Sequence, residues 1–180
     1  MRYDRIDKMA KFYYYGISPF EVEAIYSTLK RFFGAVEEDE HLQENDNSYV
    51  SMIDIGFPIP FNESFFQLLT LEGWFRIKSL IKEMKRRRGK KGIKTFLRFN
   101  GIMQGINSQL LFSLINKNDR QFEMGLEKIE YMVDIIPVQL DKLLASTELV
   151  EYYYDEVTHK WKPHIPESSS DGSINNNNTM

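Results

Sequence analysis

The chain has 180 residues, 42% of them hydrophobic and 27% charged, with a net charge of −3. That balance fits one globular domain with a real core and gives no global pull toward nucleic acid. It contains no cysteine, which excludes disulfides, thiolate zinc sites and cysteine nucleophiles.

No early apolar run resembles a secretory signal, and no stretch approaches the ~18 uninterrupted apolar residues of a membrane span. The expectation is a cytoplasmic protein without a transmembrane segment. An aromatic content of 14% argues against disorder across the body.

Residues 4–33 read as a helical hairpin. Ile6, Met9 and Tyr13 share one face of a first helix, and Gly16 permits the turn that stops it. Ser18-Pro19-Phe20-Glu21 is a start signal: a capping serine, proline at the first helical position, and glutamate three residues on. The second helix carries Val22, Ile25, Leu29 and Phe32 and ends at Gly34. The segment FYYYGISPFEVEAI is similar to the generic helix-turn-helix pattern through Gly16, Ile17, Val22 and Ile25. Phe12 and the first-turn acids Glu21 and Glu23 depart from it.

Residues 37–48 are acidic and read as a solvated linker. The run YVSMIDIGFPIPF then reads as extended chain packed on a bundle, closed by Pro58 and Pro60. Asn62 caps a third helix reaching Arg88, whose apolar face rotates near Gly73. Phe96, Phe99, Met103, Ile106 and Leu110 recur at three-four steps and predict a fourth helix. The rival hairpin, FLRF against LLFSLI, loses strand alternation at Leu110-Leu111-Phe112.

The strongest pattern is the ladder Phe122, Leu126, Ile129, Val133, Ile136, Leu140 and Leu143, opened by Asn118 or Asp119. Its four-three alternation is the heptad signature of a coiled-coil-like seam. Pro137 lies inside it, where a kink or a break is expected. Beyond Ser146, Val150, Tyr152 and Tyr154 alternate and suggest a β-hairpin.

The resulting expectation is a mainly α fold, an antiparallel helical bundle. Residues 1–36 form a helical hairpin, 37–61 a linker and extended segment, 62–146 the bundle core, and 147–165 a β-hairpin or extended segment. Residues 166–180 form a disordered tail. The alternative is an α+β fold with strands near 49–57, 95–100 and 109–116.

For chemistry, the sharpest cluster is Lys85, Arg86, Arg87, Arg88, Lys90, Lys91 and Lys94, a basic turn suited to phosphates or an acidic partner. Lys94-Thr95 follows Ile93 rather than glycine, so the phosphate-loop motif fails. Glu38-x-x-His41 and Glu156-x-x-His159 fall outside the amphipathic segments and read as chance pairs rather than a di-iron set. His41, His159 and His164 mark no catalytic base, and Asp54 between Ile53 and Ile55 reads as a partly buried carboxylate.

No catalytic residue, cofactor or metal ligand is nominated. The expected function is a non-catalytic interaction or assembly module that binds a protein partner or itself. The alternative is a nucleic-acid-binding or regulatory protein using residues 85–94, with the hairpin at 4–33.

Overall fold

The ten residues IDKMAKFYYY form a strand, β1 (Ile6–Tyr15), rather than the expected first helix. Ala10, Phe12 and Tyr14 are buried on one side, while Met9, Lys11 and Tyr13 point to the other. That period of two overrides the helical spacing of Ile6, Met9 and Tyr13. Gly16 turns the chain at φ 64°, where an added Cβ would sit 2.1 Å from the Val50 carbonyl oxygen. The helix-turn-helix reading therefore fails at its first helix.

The fold was obtained as a computed structural model that describes residues 6–42, 48–102, 108–143 and 148–164, with side chains of the last helix described to Gln139. After β1 come α1 (Pro19–Phe32), β2 (Phe33–Glu40), β3 (Ser51–Phe57), α2 (Glu63–Arg88), β4 (Ile93–Phe99) and β5 (Gln109–Ile115). The helices α3 (Asp119–Glu127) and α4 (Met132–Leu143) follow, then β6 (Leu149–Asp155) and β7 (Lys160–Pro163). The protein is an α/β fold with a seven-stranded mixed sheet in the order β2-β1-β3-β4-β5-β6-β7. It is not a helical bundle, and no coiled coil is formed by the described residues.

Three crossover units build the sheet: β1-α1-β2, β3-α2-β4 and β5-α3-α4-β6, each joining parallel strands. Neighbouring units meet antiparallel, at β1–β3 and β4–β5. The helices cover one face. Into it point Phe12, Ile53, Ile55, Phe57, Leu97, Phe99, Leu110, Phe112, Tyr152 and Trp161, all buried. They meet Ile25 and Leu29 of α1, Trp74, Ile77 and Ile81 of α2, and Phe122 and Leu126 of α3. Each such side chain, once buried, contributes ~1.5–3 kcal/mol.

The segment expected as a fourth helix is the β4–β5 hairpin, which the alternative reading had near 95–100 and 109–116. In β4, Ile93, Thr95, Leu97 and Phe99 face inward with strict alternation. In β5 alternation is masked, because Leu111 and Ser113 on the opposite face are also buried. A strand buried on both sides reads as a continuous apolar run, and that run mimicked helical spacing. Residues 37–40 of the expected linker form the second half of edge strand β2, with only Phe33 of that strand buried. The segment YVSMIDIGFPIPF supplies β3, third in the sheet rather than laid on a bundle.

Helix starts follow the sequence closely. Ser18 forms the capping box with Glu21, and Pro19 opens α1. Asn62 accepts from the Phe65 N–H and Asn118 from the Gln121 N–H. The heptad ladder is a burial pattern without one continuous helix: Phe122, Leu126, Ile129 and Ile136 are buried, but the helix breaks at 128–131 and Pro137 sits within α4. Leu140 and Leu143 have side chains outside the described set, and the tail at 166–180 lies outside the described residues. The expected C-terminal hairpin is β6–β7, joined to β5 as part of the main sheet.

The long helix α2 is broken at Thr70, whose φ of 58° and ψ of 157° lie outside helical space. The Thr70 hydroxyl accepts from the Gly73 N–H at 3.4 Å and so caps the second part. A Cβ at Gly73 would lie 2.4 Å from the Phe32 ring, which explains the glycine. The expected rotation of the apolar face near Gly73 is this break.

Candidate functional site

The basic turn lies where α2 ends and β4 begins. Four of its seven cations are held by acids of the same chain. Lys85 is buried, bonds the Lys117 carbonyl at 2.9 Å and pairs with Asp119. Arg86 meets Glu83 and Glu123, and Arg87 meets Glu83 and Glu21. Arg88 grips Glu21 through two nitrogens, at 3.0 and 2.9 Å, and also bonds the Gly16 carbonyl. Among the described residues Lys90 and Lys91 make no ion pair, and both are exposed. The Lys94 ammonium sits 5.8 Å from the Tyr49 ring centre. The acids that neutralise the turn are thus Glu21, Glu83, Asp119 and Glu123, not residues 37–40.

Glu21 is drawn down to about 2, first by the Arg88 hydrogen bonds and then, against its burial, by the Ser18 N–H. This cluster ties the β1–α1 turn, the start of β3 and the end of α2 together. A wide, shallow depression of about 620 Å³ opens beside it, lined by Gly16, Ser18, Arg87, Arg88 and Lys91. Its central arginine is already committed to Glu21.

The second polar centre is on the sheet face that carries no helices. Asp54 of β3 is buried there, with Tyr13 beside it on β1 and Phe96 on β4. Arg98 Nε donates to both Asp54 oxygens, at 2.9 and 2.8 Å. Burial nevertheless pushes the Asp54 carboxyl up, outweighing the opposing pull of Arg98. Tyr13 donates to Glu37 at 2.8 Å and stacks on His41 with ring centres 4.8 Å apart. Burial, followed by the Glu37 hydrogen bond, raises the Tyr13 hydroxyl to about 12.

A third feature is the outer surface of the helical layer. Leu68, Leu71 and Phe75 of α2 are exposed, as are Tyr131 just ahead of α4 and Ile135 and Val138 within it. All six are at least 42% exposed, an unusual number of large apolar groups to leave in water. Buried Lys78 ties α2 to α3 and the turn after it: its Nζ lies 4.7 Å from the Phe75 ring centre, bonds Glu127 at 2.7 Å and pairs with Glu130. Glu72, Arg76 and Asp134 are exposed around the patch.

The remaining histidines are scattered. His159 Nδ1 contacts Gln121 at 2.9 Å, and the His164 N–H donates to the Glu151 carbonyl. Among the described residues no three His, Asp or Glu side chains converge as a metal set. No described helix is long and apolar enough to cross a membrane.

Of the residues singled out from sequence, Asp54 and His41 prove to share the open sheet face, with Tyr13 between them. Lys11, Gly56 and Arg98, which the register brings side by side on that face, carried no local signal. Their proximity depends on three strands far apart in sequence. Compared with known proteins, the chain matches no family model, no curated protein and no solved structure.

Proposed function

We propose that the chain is an interaction module that pairs with a second copy of itself through the outer face of α2 and α4. The supporting observation is the six-residue apolar patch Leu68, Leu71, Phe75, Tyr131, Ile135 and Val138. These side chains are exposed on segments whose other side chains pack into the core. Leaving such a surface in water costs the transfer free energy that docking would recover. Its rim carries both signs, Glu72 and Asp134 with Arg76. A surface bearing both charges complements itself under a two-fold axis, where Arg76 of one copy meets an acid of the other.

The strained Thr70 fits this reading. The break in α2 keeps Phe65 and Leu69 buried before it and Trp74 and Ile77 buried after it, and it leaves Leu68 and Leu71 facing solvent. A non-glycine residue held at this positive φ costs ~1–3 kcal/mol, and such strain concentrates at working surfaces.

Sedimentation equilibrium over a concentration series tests the proposal. The expected result is a concentration-dependent dimer that Leu71→Asp and Val138→Asp each weaken by about thirtyfold, the size of a ~2 kcal/mol interface hot spot. Both positions are exposed, so neither substitution disturbs the core. A chain that stays monomeric at every concentration, or a dimer indifferent to both substitutions, would refute it.

A further inference from the structure

On the open sheet face, Lys11 of β1, Gly56 of β3 and Arg98 of β4 stand directly side by side in register. Glycine between two long cations leaves a dent in the sheet, and a strand glycine commonly marks close approach of a ligand. A Cβ at Gly56 would come within 3.2 Å of the Lys11 Cβ, so the space is narrow as well as open. The dent continues into a cavity of about 400 Å³, with Tyr13, Asn100 and Gln109 on its polar side and Met9 and Pro58 among its apolar walls. That is the size of a small-molecule site, and the mixture of apolar wall and few convergent polar groups is typical of one.

Both cations are reachable. The Lys11 side chain is 52% exposed and that of Arg98 42%. Asp54 grips Arg98 by Nε, which fixes the plane of the guanidinium without using the terminal amino edge in those two bonds. A guanidinium so oriented is prepared for a planar oxyanion. The acids Asp54 and Glu37 lie close by, Glu37 at 3.9 Å from the Lys11 ammonium. Two cations offset by two carboxylates leave no net positive charge, so a ligand is held by directed hydrogen bonds and apolar contact, and a doubly charged phosphate is disfavoured against a single carboxylate.

We propose that this cavity binds a small organic monocarboxylate, its carboxylate between Lys11 and Arg98 over Gly56 and its hydrocarbon body against Met9 and Pro58. The site lies on the face opposite the helices and is independent of the pairing surface.

The test is a chemical-shift titration of the backbone amides of the full chain at low salt, with benzoate, hexanoate and inorganic phosphate as probes. Saturable shifts at Lys11, Gly56 and Arg98 are expected with both carboxylates, and weaker binding of phosphate. Lys11→Gln should weaken carboxylate binding about tenfold, as loss of one charge-assisted hydrogen bond does. Gly56→Ala should weaken it comparably by filling the dent, and should Gly56→Ala fail to fold, the exposed Lys11 substitution carries the test. Lys162→Gln, at the far side of the same face, should leave binding unchanged. Absence of saturable shifts, phosphate binding tighter than either carboxylate, or equal losses from the Lys11 and Lys162 substitutions would overturn the proposal.

Discussion

Two arginine–carboxylate pairs of similar chemistry behave oppositely in this molecule. Arg88 and Glu21 are both nearly buried, and two guanidinium nitrogens meet two carboxylate oxygens. The Ser18 N–H adds a third donor at 2.9 Å, and the carboxyl is held near 2. Arg98 meets Asp54 through Nε and is itself 42% exposed, while Asp54 is buried. There desolvation wins and the carboxyl moves up. Donor number and solvent access, not the presence of an arginine, decide the direction. The first pair is a clasp joining three parts of the chain. The second leaves its arginine facing the cavity.

The largest expected effect comes from breaking the clasp. Arg88→Met leaves the nearly buried Glu21 carboxylate with only the Ser18 donors and the more distant, exposed Arg87, and should cost about 3 kcal/mol in urea unfolding, the penalty of breaking a buried pair. Arg98→Gln should cost less, because Arg98 is half exposed and its pull on Asp54 is already outweighed by burial. Equal losses would erase the distinction between the two pairs.

Acid unfolding separates them next. The Glu21 value is lowered in the fold, from 4.5 to about 2. Its stabilisation is therefore fully present above pH 4.5 and is lost as pH falls through about 2. The group should account for roughly 2–3 kcal/mol of that loss. Unfolding free energies measured between pH 6 and about 2 should fall less steeply in Glu21→Gln than in the parent chain. Parallel curves would show that the clasp is not the acid-sensitive element.

The clasp was half legible in the sequence. Ser18-Pro19-Phe20-Glu21 announces its own cap because the chemistry lies within four residues. The same holds for Asn62, and for Asn118, the first of the two residues offered for the third start. That Glu21 also meets Arg88, 67 residues on, has no local trace. The sheet was lost for a related reason. Tyr13, Tyr14 and Tyr15 are aromatic on both faces of β1, and Leu110, Leu111 and Phe112 are buried on both faces of β5, so neither strand shows the apolar–polar alternation of a half-exposed one. Of the ladder from Phe122 to Ile136, all rungs except the half-buried Val133 are buried, but a three-four apolar stripe packs on a sheet as readily as on a helix. Asp54 drew notice as a carboxylate between two isoleucines. Its neighbours across the strands, and the dent at Gly56, depend on register alone.

The smallest expected effect is also the most direct probe of the second pair. Because burial raises the Asp54 value above 3.8, its protonated form is favoured in the fold. Its contribution to stability is thus greatest at low pH and is lost as pH rises through the folded value, the reverse of Glu21. Asp54→Asn should therefore change stability at neutral pH by less than about 1 kcal/mol, since the charge it removes was poorly placed and its arginine stays solvated. A carbon-detected titration of the side-chain carboxyl should place its midpoint above 3.8, and Arg98→Gln should move that midpoint further up by removing the cation that bonds it. A midpoint below 3.8 would mean that Arg98 outweighs burial after all. The two pairs would then differ in strength and not in kind, and Arg98 would be as firmly committed to its carboxylate as Arg88 is.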